Sequence, residues 1–306
     1  MPTLIGCDPE FFIRNKDNGA YISAHDRVPG TKQDPHKLPN GGYVQADGTA
    51  VEFNIPPART AKMFKDHILS ALNDIRNEFF KDKQDLMFAF DPVATYEPSY
   101  FKGLPLSAKE LGCDPDFNAY NAGKPNPKPD GTRTYRTGSG HIHVGFLEKD
   151  EFVPSNEEPC NDPIHMKDCM ALAVALDYTL TMFRHKWDQD TTRAKMYGNI
   201  GCFRPKHYGM EYRTLSNAWL RHPDLWPWLF NNSVRAVELA SDKGFNNLVV
   251  RYGMYNVKTY MNAILRAPEN KNQYYSYLNS CGGGELIVNG VIQGPSKHAL
   301  TKKLSL

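Results

Sequence analysis

The stretch GCDPEFF (6–12) places two carboxylates inside an otherwise apolar, strand-like pattern, and the fold follows from how it is read. Successive side chains of an extended chain point to opposite faces, so Asp8 and Glu10 share one face while Cys7, Phe11 and Ile13 take the other. Two later stretches repeat the arrangement. GSGHIHVG (138–145) puts His141 and His143 on one face, and GMEYR (209–213) does the same for Glu211 and Arg213. Charges on a buried strand face are costly unless they are paired or bind metal. Three such strands predict a sheet with one ionic face.

Around these strands the chain alternates between hairpin signals and helices. TLIGCDPEFFIRN (3–15) reads as a first strand, Lys16-Asp17-Asn18-Gly19 as a turn, and AYISA (20–24) as the returning strand. Pro and Gly interrupt VPGTKQDPHKLPNGG (28–42) too often for regular structure, and a lid is expected there. YVQADGTAVEFNI (43–55) fits either one long bulged strand or a hairpin turning at Asp47-Gly48; in both, Ala50, Glu52 and Asn54 share a face. Between 58 and 80, Phe64, Ile68, Leu72, Ile75 and Phe79 recur at helical spacing. LMFAFDPVATYE (86–97) reads as one strand and 98–132 as an irregular surface insertion, least foldable at KPNPKPDG (124–131). TYRTGSGHIHVGFLE (134–148) returns to strand. A helix over 162–186 starts at Asp162-Pro163, with an apolar stripe through Met170, Val174, Leu176 and Leu180. The Glu211 strand follows a loop holding Gly198, Gly201 and Gly209, and further helices are expected at 223–241 and 254–267. The reading is α+β: an antiparallel sheet covered on one side by helices, with the length allowing one large domain or two of about 150 residues each.

Composition narrows the function. The 306 residues are 41% hydrophobic and 23% charged, as in an ordinary globular protein. A net charge of +2, with basic residues scattered among acidic ones, does not indicate nucleic acid or an anionic membrane surface as partner. No leader pattern and no run of ~20 apolar residues is present, so a cytoplasmic location is expected. Six cysteines without a CxxC pair read as reduced thiols. Cys160, His165 and Cys169 lack a fourth ligand for zinc.

Each ionic pair also has a plain reading. Asp8 with Glu10 can be a solvated strand face, His141 with His143 two hydrogen-bonded imidazoles, and Glu211 with Arg213 an interstrand ion pair. As a set they offer the oxygen donors that Mg²⁺ and Mn²⁺ prefer, and a guanidinium suited to phosphate. The glycines around His141 and His143 leave the backbone open to a ligand. An HxH pair also serves zinc hydrolases, which keeps that reaction class open. Arg193, Arg204 and Lys206 add cations just upstream of Glu211.

GCDPEFFI resembles the GPEPEFF strand of glutamine synthetases, GSGHIHVGF is similar to their NGSGMHxH strand, and GMEYR to their RIExR strand, in the same order. YVQADGTAVEFNIPP resembles the second acidic strand of that superfamily, and the pattern is most similar to compact phage-type carboxylate–amine ligases and to glutamate–cysteine ligases. These segments cover about a fifth of the chain. The resemblance implies a curved, funnel-like half-barrel forming a single domain over 1–306, ATP with two or more Mg²⁺ or Mn²⁺ ions, and amide formation through an acyl phosphate with release of ADP and phosphate. By matched position it implies Asp8, Glu10, Glu52, His141 and Glu211 as metal ligands. His143, Arg204 and Arg213 would contact phosphate or the reacting carboxylate, with Lys206 a looser candidate and Glu52 in the catalytic set. Apart from the resemblance, closure of the 28–42 loop would let Lys32 reach a phosphate or carboxylate. Two departures stand out: Asp8 replaces a Glu, and the second acidic strand has Asp47 as its only candidate for a first carboxylate. No stretch resembles the N-terminal domain through which glutamine synthetases build rings, so their oligomeric state is not carried over. Small-molecule or peptide acids and amines are the implied substrates; an inactive nucleotide-binding homologue is the remaining alternative.

Overall fold

The computed structural model describes residues 3–109, 116–127, 133–146, 163–241 and 294–304, with a few single positions beyond them. In chain order the strands and helices are β1 Leu4–Cys7, β2 Glu10–Asn15, β3 Tyr21–Ile22, β4 His36–Lys37, β5 Tyr43–Asp47, β6 Ala50–Asn54, α1 Ala61–Phe79, β7 Leu86–Ala89, β8 Val93–Thr95, α2 Pro98–Gly103 and α3 Leu106–Lys109. They continue as β9 Phe117–Asn118, β10 Lys124–Pro125, β11 Tyr135–Thr137, β12 Ile142–Gly145, α4 Pro163–Thr179, β13 Cys202–Lys206, β14 Gly209–Tyr212 and α5 Trp226–Ser241.

All pairings between these strands are antiparallel. One sheet runs β1-β12-β14-β13-β9-β10, a second β3-β2-β6-β5-β4 with β7 beside β2, and β8 pairs β11. The first two are stitched together where β6 and the residue after it bond across the Asp8 break: Phe53 N donates to Pro9 O and Ile55 N to Cys7 O. The result is the expected curved antiparallel half-barrel with helices against its outer face.

The 6–12 stretch is not one strand. Pro9 has no N–H to give a ladder, so the chain breaks at Asp8-Pro9 and passes from one sheet to the other. Asp91-Pro92 splits 86–97 into β7 and β8 in the same way, and 134–148 divides at Gly138–His141 into β11 and β12. The 43–55 stretch is the hairpin, not the bulged strand; Asp47 faces Ala50 across Gly48, whose φ of 57° suits a residue without Cβ. The 28–42 loop contains one short strand, β4, paired to β5. The 98–132 insertion is less irregular than expected: α2, α3, β9 and β10 lie in it, and β9 joins the sheet edge at β13.

Helix α1 begins at Thr60, whose side chain accepts from Met63 N, and buries Phe64, Ile68, Ala71, Leu72 and Ile75; Phe79 is only partly covered. Helix α4 is buried on every side from Leu172 to Thr179 and carries no single stripe, because sheet and helix α5 enclose it. Helix α5 falls within 223–241; the expected 254–267 helix falls almost entirely outside the described residues. One apolar cluster links Ile5 and Cys7 of β1, Ile142 and Val144 of β12, Met210 and Tyr212 of β14, and Leu229 and Leu239 of α5. These strand positions face the helices, which commits the alternate positions to the concave side.

Candidate metal and phosphate site

Register makes the first half of the site. Across four strands Gly6, His143, Glu211 and Arg204 stand side by side in one row, all on the concave face. His143 Nε2 lies 2.9 Å from Asp8 Oδ1, and His141 Nδ1 lies 3.4 Å from Asp8 Oδ1 and 3.1 Å from Glu211 Oε1. Glu211, 1% exposed at its side chain, also meets Arg204 and Lys206 at 3.4 Å each and the Arg213 Nη1 at closer range. Burial opposes its ionisation, but Arg213, Arg204 and Lys206 hold the carboxyl well below the usual range. The Asp8 carboxyl is likewise held low: burial pushes it up, and the charge and hydrogen bonding of His143 and His141 more than reverse that. Burial and the Arg213 charge press His141 toward neutrality, yet Asp8 and Glu211 raise its pKa above the ordinary value.

The second half lies on the hairpin. Glu10 of β2 is directly opposite Glu52 of β6, which is opposite Gln45 of β5, and Gln45 Nε2 donates to Glu52 Oε2 at 3.1 Å. Asp47 shares that face and completes a group with Glu10 and Glu52. Like charges directly opposite in an antiparallel pair destabilise it. Burial, then the Asp47 charge, pushes the Glu10 carboxyl up to about 7. Burial with Asp47, Asp8 and Glu10 raises Glu52 well above its normal range, and burial raises Asp47, against the pull of Lys32. Ser139 N donates to Glu10 Oε2 at 2.9 Å, and Glu10 N to Ser139 O, so the Gly138–Gly140 turn is bound to β2.

All the residues implied by sequence, Asp8, Glu10, Glu52, His141, His143, Arg204, Lys206, Glu211 and Arg213, thus converge on one concavity; Lys32 reaches it as a charge acting on Asp47. The Glu211–Arg213 ion pair is present too, between β14 and the residue that follows it and not between strands. One expectation is corrected. Gly138 and Gly140 do not leave the backbone open to a ligand: a Cβ at Gly138 would meet the Asn217 amide at 2.2 Å, and one at Gly140 the Ser216 carbonyl at 2.3 Å. They are packing glycines.

Sequence reasoning left Asp47 undecided and did not find Asp116 or Tyr208. Asp116, brought in at the start of β9, lies 3.6 Å from Arg213 Nε; Tyr208 bonds His143 Nδ1. Hairpin register was the available signal for Asp47, since a turn after it puts residues 45, 47 and 52 on one face. His165 bonds the Lys206 carbonyl at 2.9 Å and Cys169 is a buried thiol, a structural pair; Cys160 lies outside the described residues.

Two donor sets are spaced for cations, Asp8/His143/Glu211 and Glu10/Asp47/Glu52, each with ligand atoms within 4.8 Å of one another. Hard carboxylate oxygens dominate both, the donor type that divalent cations such as Mg²⁺ and Mn²⁺ prefer. Neither a family model nor a curated protein matches the chain. Among the described residues no helix is long and apolar enough to cross a membrane.

Proposed function

We propose that the chain is an ATP-dependent carboxylate–amine ligase of the glutamine synthetase type, a single catalytic domain over 1–306 acting in the cytoplasm. One observation carries the reading: two carboxylate-rich side-chain groups abut three buried or half-buried cationic side chains, Arg204, Lys206 and Arg213, on one concave face. Phosphoryl transfer needs such positioning and charge neutralisation more than it needs a protein nucleophile.

Asp8, His143 and Glu211, with His141 bridging them, would hold one Mg²⁺ or Mn²⁺, and Glu10, Asp47 and Glu52 another; bound there, the ions supply charge neutralisation to a triphosphate. Arg204, Lys206 and Arg213 bind and orient phosphate oxygens from the β13–β14 side. A substrate carboxylate oxygen attacks the γ-phosphorus and ADP departs. The amine nitrogen then attacks the acyl carbon, phosphate departs, and the nitrogen gives up a proton to complete the amide. A cleft lined by Asp8, Pro35, Tyr43, Glu52, Asn54 and His143 opens at the acidic end, where carboxylates attract an amine arriving as ammonium.

The test is nucleotide turnover with Mg²⁺ or Mn²⁺ against pools of acids and amines, with hydroxylamine as trap. ADP, phosphate and a hydroxamate formed only with the right acid support the reading. AMP with pyrophosphate replaces it with adenylation chemistry. A protein that retains zinc and does not bind Mg·ATP belongs with the hydrolases that use an HxH pair; one that binds nucleotide without turnover is an inactive homologue.

A further inference from the structure

His143 is held at both ring nitrogens. Nε2 faces Asp8 Oδ1 at 2.9 Å, and Nδ1 lies 2.5 Å from the Tyr208 hydroxyl, with the two rings 27° from parallel. Tyr208 stands in the turn between β13 and β14, and its own carbonyl accepts from Phe146 N, so β12 and that turn are bonded together just beyond His143. Rotating the ring would break the Tyr208 hydrogen bond and carry Nε2 away from the Asp8 carboxylate.

The chemistry of the two partners differs. An ionised carboxylate only accepts, whereas a phenol hydroxyl both donates and accepts. Tyr208 can therefore bond Nδ1 in the tautomer that leaves the Nε2 lone pair toward Asp8 and Glu211. An outer partner that fixes tautomer and ring orientation is what a metal-ligating imidazole needs.

We infer that Tyr208 is a positioning residue that keeps His143 Nε2 aimed into the Asp8–Glu211 cluster and accommodates either tautomer. The inference rests on reading that cluster as a cation site. Mn²⁺ affinity of wild type and Tyr208→Phe, measured by calorimetry, tests it alongside ¹⁵N spectra of the His143 ring and thermal melts. Tyr208→Phe keeps the ring and is expected to weaken Mn²⁺ binding tenfold or more, roughly the effect of losing an outer partner. Its melting temperature stays near that of wild type, and its Nδ1 resonance moves to the position of an unbonded nitrogen. Affinity within about twofold of wild type, with unchanged ring nitrogens, overturns the inference. Should the variant not fold, the wild-type spectrum decides, because a His143 Nδ1 showing no hydrogen bond overturns it as well. If wild type binds no Mn²⁺, the cation reading fails by itself, and the nitrogen signature alone then decides whether Tyr208 holds the ring.

Discussion

On β14 a buried carboxylate is surrounded by cations, whereas on β2 and β6 two carboxylates face each other with a third beside them. Glu211 has Arg204, Lys206, Arg213 and His141 within reach, and its carboxyl is driven far below the usual range. Glu10 and Glu52 have Gln45, the Ser139 amide and each other, and both are driven up. Glu211 already has positive partners within the protein; the hairpin acids are relieved by something positive from outside, a proton or a metal. Identical residue types a few strands apart therefore report opposite roles, and mutation should separate them by sign.

The largest difference is expected from Glu211→Ala. Sequence alone suggests a ligand whose loss spares the fold, but three cations surround this carboxylate, two of them buried. Removing one partner of a buried charge cluster costs about 3–5 kcal/mol. Denaturant melts of the metal-free protein should show that loss, with activity falling ~10²-fold or more in whatever protein remains folded. A variant as stable as wild type would mean that Arg204, Lys206 and Arg213 find water or other partners, and the contrast would collapse.

Glu52→Gln should do the reverse. It removes a like charge from an opposed pair, so the metal-free protein stays as stable as wild type or gains. What disappears is the stabilisation added by metal, about 2.7 kcal/mol at a concentration one hundred times the dissociation constant. Melts with chelator and with Mn²⁺ read both effects. A metal-free loss comparable with that of Glu211→Ala would show that the hairpin acids are already compensated.

The pH dependence carries the same sign. A carboxyl raised from 4.5 to about 7 in the folded state, as at Glu10, binds more protons folded than unfolded between those values. Its contribution is present below pH ~4.5 and lost as pH rises toward ~7, at about 1.4 kcal/mol per pH unit for each such proton. Metal-free stability should fall over that window while the gain from Mn²⁺ grows. Stability rising with pH across the same window would contradict the raised carboxyls.

How much of this was legible depends on whether the signal was local. Helix α1 could be read because its own residues carry the spacing, and the ionic face because strand parity needs no partner. The breaks at Pro9 and Pro92 were available from the missing N–H yet were overridden by the apolar run around them. β9 was invisible: two residues, Phe117 and Asn118, become a strand only because β13 offers an edge. Asp116 inherits that invisibility, and Tyr208 depends on how the β13–β14 turn meets β12. Helix α4 was legible from its Asp162-Pro163 start, but the stripe read into it dissolves into burial on every side, and the helix stops at Thr179, short of 186.

The smallest effect is expected at Lys32, and its sign discriminates best. Its ammonium lowers the Asp47 carboxyl from across the 28–42 loop, so it acts on the uncompensated end of the site. If Lys32 is only a counter-charge, Lys32→Ala removes a competitor for the metal. Mn²⁺ then binds more tightly at pH 8, by about 1.4- to fivefold for a half-exposed charge worth about 0.2–1 kcal/mol. If the loop is a lid carrying Lys32 to a phosphate, the same variant weakens Mg·ATP while leaving Mn²⁺ alone slightly tighter, because the charge matters most when the nucleotide is present. Calorimetric titration of the variant with Mn²⁺ and then with Mg·ATP separates the two. Unchanged affinity for both would remove Lys32 from the site and leave Asp47 answering to Arg213, His141 and its neighbouring acids.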